Sequence, residues 1–183
     1  MNEDKGAVWA ARTAVIIAFI LVAAALRIVP HPWNFTPIGA MALFSGAMLP
    51  KRWMKFSLPL AALFAGDLFI GFHALMPVVY ASFLVSVLIG IWLEKRRTAG
   101  RIAGATLLGA IQFYLATNFA VWAAMSTYPK TLAGLGACYA AGIPFFWNTL
   151  AGDAAYAGLL FGGFALAERL IPDLRAPSGA LGR

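Results

Sequence analysis

Charged residues are scarce in this chain of 183 residues, because Asp, Glu, Lys and Arg together make up 11% of it. A soluble domain usually carries about 25% charged residues. This shortage excludes an ordinary soluble enzyme, a disordered segment and a nucleic-acid binder whose basic side chains cover a polar surface. Since 62% of the residues are hydrophobic, the composition instead predicts an integral membrane protein that lies in a lipid bilayer.

Cysteine is almost absent as well: Cys138 is the single one, so no intrachain disulfide can form. The sequence has no His-Glu-x-x-His motif, no Gly-x-Ser-x-Gly motif and no glycine loop that would cradle a phosphate. No cluster of residues has the spacing of a metal site either. We therefore expect a protein without a cofactor, a metal centre or a nucleotide site of its own.

Six apolar stretches, separated by Pro, Gly, His or clustered charge, predict an all-α protein with six transmembrane helices in a single domain over residues 1–183. The second stretch is short for a full span, so we expect it to be tilted, half-buried or partly re-entrant. The six stretches are residues 13–29, 36–49, 56–72, 78–93, 102–125 and 138–167.

Basic residues predict the orientation of these spans. With six spans, 12 of the 14 Lys and Arg residues fall on one side, and Arg27 and Lys130 fall on the other. By the positive-inside rule this asymmetry places both termini in the cytoplasm. The net charge of +7 is then explained by topology, and we expect no nucleic-acid partner. The 12 residues are Lys5, Arg12, Lys51, Arg52, Lys55, Lys95, Arg96, Arg97, Arg101, Arg169, Arg175 and Arg183.

The N-terminus has an alternative interpretation as a cleaved secretory signal. Arg12 precedes an apolar run with three consecutive alanines at residues 23–25, which resembles a small-residue cleavage site. The acidic residues Glu3 and Asp4 are atypical of such a signal, and cleavage would also disrupt the charge alternation. We therefore favour a retained first span.

Polar and aromatic residues on the outer side predict a binding pocket. Three outer loops are stiffened by proline, and both histidines lie in these loops. On the fifth span, Tyr114, Asn118 and Trp122 recur every four residues and share one helix face. We interpret this as an outward-facing pocket, with ordinary hydrogen bonding between helices and within loops as the alternative. The candidate substrate-binding residues are His31, Asn34, His73, Asn118, Trp122, Tyr128, Cys138, Tyr139 and Asn148.

Two acidic residues lie inside apolar stretches, Asp67 in the third and Asp153 in the sixth. A carboxylate exposed to lipid is costly, so both are expected to face the bundle interior with a partner. There they would orient the pocket, respond to protons or brace neighbouring backbone. Two aspartates on different spans are also a feature of intramembrane aspartyl proteases. Those enzymes resemble each other in a Gly-x-Gly-Asp motif, but here Phe64 and Leu150 replace its first glycine.

Small residues form a stripe on the first span, where Ala10, Ala14 and Ala18 recur at a spacing of four. Such a stripe permits close helix contact, either inside the protein or with a partner subunit. With six spans and internal termini, this resembles the substrate-binding (S) components of energy-coupling-factor vitamin transporters, whose first helix carries Ala-x-x-x-Ala contacts to the coupling subunit. The resemblance implies an S-component-like bundle, a small-molecule substrate, and coupling and ATPase subunits as partners.

The whole chain also resembles a bacterial family of uncharacterised transport proteins. The matching segments are residues 30–40, Gly66-Asp67 with Gly71-Phe-His73, Thr117-Asn-Phe119 with Trp122, Tyr128-Pro129, residues 134–139 and residues 143–153. This resemblance implies the bacterial inner membrane as the location. A related protein, the solitary cobalamin transporter, ligates cobalt through a cysteine, and comparison with Cys138, His31 and His73 makes cobalamin the first substrate expected.

These observations predict a transporter, or a substrate-binding membrane component, that takes up a small vitamin-like molecule and is not an enzyme. A solitary proton-linked carrier is the alternative, and the aspartyl protease is a weaker one. The chain has no nucleotide-binding motif, so the energy for uptake would come from a partner complex or from a gradient, or uptake would need no energy source.

Overall fold

Short polar caps and breaks divide the apolar chain into helices. The hydroxyls of Thr98 and Thr131 accept hydrogen bonds from the backbone N–H groups of Arg101 and Gly134, so each satisfies a donor in the first turn of the next helix.

The structure, a computed structural model, describes residues 2–175, with side chains from residue 6 onward. Two basic residues used to orient the spans are affected, since Arg183 and the side chain of Lys5 lie outside the described part.

Within residues 2–175 every regular element is helical. A π-helical turn at Gly158–Gly162 joins the last two α-helices without a break, and a 3-10 turn at Pro172–Leu174 follows them. The α-helices are α1 Asn2–Leu26, α2 Ile38–Met48, α3 Arg52–Ile70, α4 Met76–Leu93, α5 Ala99–Ala124, α6 Leu132–Ala157 and α7 Gly163–Leu170.

Five helical stretches in the described part are long and apolar enough to cross a membrane: most of α1, all of α3, α4 and α5, and the continuous helix Leu132–Leu170. The chain is therefore a multi-pass membrane protein. Each predicted stretch overlaps one of these five helical stretches or α2, but their ends differ. The sixth helix begins at Leu132 rather than at residue 138, because Thr131 caps it earlier than its apolar run begins.

The helix in the second stretch is short and lies at the centre of the bundle. At 11 residues α2 is about 16 Å long, whereas the hydrocarbon core of a bilayer is about 30 Å thick. It packs against α1, α3, α4, α5 and α6, and all residues from Ala40 to Met48 are buried. We expected a tilted, half-buried or partly re-entrant segment. The structure gives a half-length helix that is buried from Ala40 onward, so the described part of the chain has five long apolar helical stretches and this one short apolar helix.

Ion pairs gather several segments at one end of the bundle. Arg12 of α1 pairs with Glu168 of α7, and Lys55 of α3 pairs with Glu94, with 2.7 Å between Nζ and Oε2. Arg97, which follows α4, contacts the end of α2. We call this the basic end. The segments it unites are those that the charge pattern places on one side, and the side of the membrane that they face stays a prediction.

Candidate functional site

The N-terminus of α2 meets the carboxylate of Asp153 deep inside the bundle. Asp153 is buried near the middle of the Leu132–Leu170 helix, and its Oδ1 accepts a hydrogen bond from the Ala40 backbone N–H at 3.2 Å. Pro37, which precedes α2, has no side-chain acceptor. Asp153 therefore supplies, from another helix, the hydrogen-bond acceptor that an N-cap side chain normally provides. A side chain at Gly39 would collide with this carboxylate, so glycine there allows the close approach.

The opposite end of α2 meets a positive charge. The Arg97 Nη1 donates to the carbonyl of Ala47 at 3.2 Å and lies 3.0 Å from the sulfur of Met48. A helix carries partial positive charge at its N-terminus and partial negative charge at its C-terminus. Asp153 and Arg97 therefore complement both ends of this buried helix from other parts of the chain.

A cavity of 140 Å³, mostly apolar in surface but lined in part by polar side chains, lies beside the N-terminus of α2, between α4, α5 and α6. Liquid water occupies about 30 Å³ per molecule, so the cavity accommodates a solute of only a few non-hydrogen atoms. Phenyl rings from α4 and α5 form part of its wall. Its polar lining comes from Asn34, Thr36, Ser86, Thr149 and Asp153.

The segment before α2 is not helical, and it runs along α6 to reach this cavity. The Asn148 Nδ2 donates to the carbonyl of Trp33 at 3.0 Å. Farther along α6, a Cβ at Gly152 would lie 3.0 Å from the backbone nitrogen of Thr36, so the two backbones are in close contact. Asn34 has a φ of +62°, a left-handed conformation that asparagine tolerates better than most residues. Irregular backbone at membrane depth requires such burial in protein or beside a polar cavity.

The second intramembrane acid has its own partners, near the end of the bundle that lies away from the basic end. Asp67 Oδ1 lies 2.5 Å from Arg27 Nη2, and Asp67 Oδ2 accepts a hydrogen bond from the Tyr80 hydroxyl at 2.6 Å. The Arg27 Nη1 also donates to the carbonyl of Leu63 at 2.9 Å. A Cβ at Gly66 would lie 2.6 Å from Arg27 Nη1, so this glycine leaves room for the guanidinium. Both predicted acids thus face the interior and have partners. This agrees with the high free-energy cost of an unpaired carboxylate in the apolar part of a membrane.

The predicted aromatic residues of α5 and α6 form a helix contact rather than a pocket. The Tyr114 hydroxyl donates to the carbonyl of Tyr139 at 2.5 Å, and the Tyr139 hydroxyl donates to the carbonyl of Leu115 at 2.9 Å. The Trp122 Nε1 donates to the carbonyl of Pro129 at 2.9 Å, which closes the turn between the two helices. The shared helix face was correctly predicted, but its side chains are used to join the helices.

Cys138 and Asn118 belong to the same contact. Cys138 is buried, and its sulfur donates to the carbonyl of Asn118 at 3.3 Å. The Asn118 Nδ2 donates to the carbonyl of Tyr114 within its own helix at 2.9 Å. A side chain at Gly142 would collide with the Asn118 amide, so this glycine allows α5 and α6 to approach each other. The thiol is therefore enclosed by protein and does not line the 140 Å³ cavity beside α2.

The remaining candidates are spread over separate loops. The ring nitrogens of His31 lie 3.1 Å and 3.2 Å from the carbonyl oxygens of Pro32 and Arg27. His73 is exposed after α3, and Tyr128 is half-buried in the turn after α5. Of the nine predicted binding residues, Asn34 lines the 140 Å³ cavity and the other eight do not, so a pocket formed by all nine stays a prediction.

Metal ligands are not gathered at any of these places. Among residues 2–175, no three His, Cys, Asp or Glu side chains lie together as a metal ion would require. The two histidines lie in different loops, and Cys138 lies inside the α5–α6 contact. The arrangement around α2 therefore offers hydrogen bonding and one carboxylate as its chemistry.

Comparison with known proteins identifies the family. A family model described as a family of unknown function, DUF6580, matches residues 8–174. The chain belongs to this family. No curated protein and no solved structure matches it. The matched range spans α1 to α7 together with the 3-10 turn, so the bundle described here corresponds to the family's whole matched region.

Several residues at the two polar sites were not predicted. Thr36, Ser86 and Thr149 line the cavity, but single hydroxyl residues inside apolar stretches are too common to single out. Arg97 was assigned only to a basic loop, although it contacts the end of α2. Arg27 did carry a signal, since it is one of two basic residues on the side with little charge and a buried acid needs a partner.

Proposed function

We propose that this protein is a membrane transporter, or the substrate-binding membrane component of one, for a small polar solute. The observation that carries the proposal is that α2 begins inside the bundle, where its N-terminus lies beside the Asp153 carboxylate and a 140 Å³ cavity with polar side chains in its lining. Helices that end at membrane depth, with irregular backbone before them, are characteristic of substrate and ion sites in transporters. We propose the bacterial inner membrane as its location.

The cavity favours a neutral or cationic solute that forms hydrogen bonds. Its hydroxyl and amide groups come from Asn34, Thr36, Ser86 and Thr149, and its charged group is Asp153. The helix dipole offsets part of the carboxylate's negative charge, and what remains favours a cation or a hydrogen-bond donor over an anion. A structural bundle without a ligand would more readily fill such a space with apolar side chains.

The volume of the cavity beside α2 limits the size of the substrate that it can hold. At 140 Å³ it is far smaller than the roughly 300–1,000 Å³ of sites for drug-sized ligands. A corrinoid is larger than such ligands, so cobalamin would require the helices around α2 to separate. Cobalamin stays a prediction that the visible absorption of the purified protein would test. The conformation described here favours a much smaller solute.

A transport assay with matched variants tests the proposal. Polar solutes of up to about five non-hydrogen atoms, including ammonium, urea and glycine, are screened for thermal stabilisation of the purified protein, and those that stabilise it are tested for uptake into proteoliposomes. We expect uptake by the wild type and its loss in Thr149→Met, because the longer side chain would occupy the cavity.

Thr117→Met is the matched control. Thr117 and Thr149 each donate a hydrogen bond to the carbonyl four residues earlier in their helices, but Thr149 lines the cavity and Thr117 is not among its lining residues. Uptake by Thr149→Met at the wild-type rate would contradict the proposal, as would the absence of uptake for every solute. Uptake that requires a pH gradient and is lost in Asp67→Asn would identify a proton-linked carrier.

A second candidate, an S component of a larger transporter, is favoured by the surface of α1. Ala10, Ala14 and Ala18 are exposed, whereas Ile16 and Ile20 on another face are buried in the core. The alanine stripe is therefore free of internal packing within the described residues. Affinity purification from membranes would recover ATPase and coupling subunits with the wild type, and Ala14→Leu would abolish their recovery. Purification of the wild type without such subunits would count against this candidate.

The aspartyl protease receives no support from the arrangement of the two acids. A catalytic dyad requires two carboxylates that share a proton at hydrogen-bond distance. In the described part of the chain, Asp67 bonds Arg27 and Tyr80, and Asp153 bonds the backbone of α2. The two aspartates therefore have separate partners and do not hydrogen-bond each other.

A further inference from the structure

A large cavity lies at the basic end, between α5 and the helix formed by α6 and α7. Its volume is 720 Å³, about five times that of the cavity beside α2. One wall is the face of α5 around Ile102 and Ala103, and the other is the face around Ala157, Phe161 and Ala165. We call this space the basic-end cleft. It is distinct from the proposed transport site, with which it has no lining residue in common.

The cleft exists because its walls carry small side chains. Both α5 and α6 make close contacts near their connecting turn through Tyr114 and Tyr139, whereas at the basic end the facing residues are mostly alanine and glycine. A Cβ added at Gly158 or Gly162 would meet nothing within 4 Å in the described chain. The bundle's own side chains therefore leave this space unfilled.

The charged residues at the mouth leave a net positive charge. Arg97, Glu168 and Arg169 lie there, but Glu168 is paired with Arg12. The Nη1 of Arg97 donates a hydrogen bond to the carbonyl of Ala47 at the end of α2. Within the residues described, the Arg97 guanidinium forms no salt bridge with a carboxylate. Burial lowers the pKa of Arg97 and the neighbouring charge of Arg12 lowers it further, while Glu168 and Glu94 oppose this in part. An anion at the mouth would stabilise the charged guanidinium further.

The dimensions of the cleft match one leaflet of a bilayer. From Arg169 to Ala154 the helix rises about 22 Å, and the hydrocarbon of a single leaflet is about 15 Å thick. The apolar walls are therefore long enough to extend through one leaflet, which would place the two arginines at the level of its headgroups. Basic pockets between transmembrane helices are a recurring form of headgroup recognition.

We infer that the basic-end cleft binds an anionic phospholipid, with an acyl chain along the apolar walls and the phosphate at Arg97 and Arg169. The planar guanidinium groups would hold the phosphate through paired hydrogen bonds. The acyl chain would cover the alanine and glycine walls that the protein itself leaves open. A bound lipid of this kind would act as a wedge that holds α5 apart from α7.

Native mass spectrometry of the protein released from nanodiscs tests this inference. The nanodiscs contain equal parts of phosphatidylglycerol and phosphatidylcholine, which differ in headgroup charge. We expect the wild type to retain phosphatidylglycerol in preference to phosphatidylcholine. Arg169→Gln should reduce this retention about fivefold, since each basic residue contributes about 1 kcal/mol to attraction of an anionic headgroup. Arg96→Gln is the matched control, because Arg96 is exposed nearby and does not line the cleft.

A second pair of variants tests the acyl-chain site without changing charge. Gly162→Leu fills the cleft and should reduce the retention of phosphatidylglycerol, whereas Gly104→Leu should leave it unchanged. Both glycines have nothing within 4 Å of an added Cβ in the part of the chain that is described, but Gly104 does not line the cleft. Should Gly162→Leu fail to fold, Ala165→Leu on the same wall replaces it.

The inference would be overturned by any of three results. The first is equal retention of the two lipids by the wild type, and the second is unchanged retention in both Arg169→Gln and the cleft-filling variant. The third is displacement of phosphatidylglycerol by free inorganic phosphate, which would mean that the arginines bind an anion without its acyl chain. Thermal stabilisation of the delipidated protein by phosphatidylglycerol, but not by phosphatidylcholine, would support it independently.

Discussion

Asp67 shows at the scale of single residues how the bundle accommodates a charge. Its side chain is 3% exposed and that of Arg27 is 10% exposed, so both ions have lost most of their water. The Tyr80 hydroxyl and the Leu63 carbonyl supply further hydrogen bonds to the pair. An ion pair that is buried in this way contributes little net stability, but the removal of one partner leaves the other charge uncompensated.

Asp67→Asn should therefore destabilise the protein strongly. We expect a loss of about 3 kcal/mol, because the Arg27 guanidinium would stay buried without its counter-ion. The double variant Arg27→Met, Asp67→Leu should lose clearly less, since it leaves no unpaired charge. Thermal unfolding of the detergent-solubilised protein measures both changes, with Asp173→Asn, an exposed acid, as the control. Equal losses in the single and double variants would show that the charges are not coupled.

The sequence predicted that Asp67 needs a partner, but it did not identify Arg27 as that partner. The need follows from the cost of a carboxylate in an apolar span. The identity depends on α1 and α3 packing side by side, and the two residues are 40 positions apart in the sequence. For Asp153 the same reasoning predicted burial and a hydrogen bond, and bracing of the backbone was one of its open alternatives. The structure shows that this backbone is the start of α2.

At the scale of elements, α2 depends on close approach to α4. A Cβ at Gly46 of α2 would collide with the carbonyl of Val87 and lie 2.9 Å from the backbone nitrogen of Ile91. Reciprocally, a Cβ at Gly90 of α4 would collide with the carbonyl of Leu43. Each glycine thus faces the backbone of the partner helix, which leaves no flexible side chain that could move aside.

Gly46→Ala should push α2 and α4 apart. We expect a destabilisation of about 1–3 kcal/mol, the usual range for an inserted methyl group in a well-packed core. Gly104→Ala should instead be neutral or stabilising by up to about 1 kcal/mol, because alanine favours a helix and an added Cβ there touches nothing in the described chain. Thermal unfolding distinguishes the two variants by the sign of the change. A neutral Gly46→Ala would contradict the close contact.

At the scale of the whole molecule, the protein has two unlike ends. The basic end has two ion pairs, at Arg12 and Lys55, and a hydrogen bond from Arg97 to the carbonyl of Ala47 at the end of α2. On the other side, Lys130 donates to the carbonyls of Trp122 and Met125 at the end of α5, and Arg27 is paired with Asp67. The few cations at that end are thus engaged by the protein, while many at the basic end stay exposed.

Cysteine labelling in intact cells should report the orientation of the two ends. Cys138 is 2% exposed, so we expect the wild type to react negligibly with a membrane-impermeant maleimide. His73→Cys, in the loop after α3, should be labelled from outside, whereas Lys95→Cys, in the loop after α4, should be labelled only after the membrane is permeabilised. Both native residues are exposed, so they form a matched pair. The reverse pattern would invert the topology that the basic residues predict.

The sequence by itself determined that this is a helical membrane protein and which residues would have to be buried with partners. Apolar composition, the lengths of the apolar runs and the cost of charge in lipid are local properties, and they do not depend on the arrangement of the helices. Tertiary structure alone decided that α2 is a buried half-length helix with Asp153 and Arg97 at its ends. It also decided that Tyr114, Asn118 and Trp122 join two helices instead of lining a pocket. The physical reason is that a polar face predicts a partner, but only the packing of the helices determines whether that partner is a solute, a neighbouring backbone or another side chain.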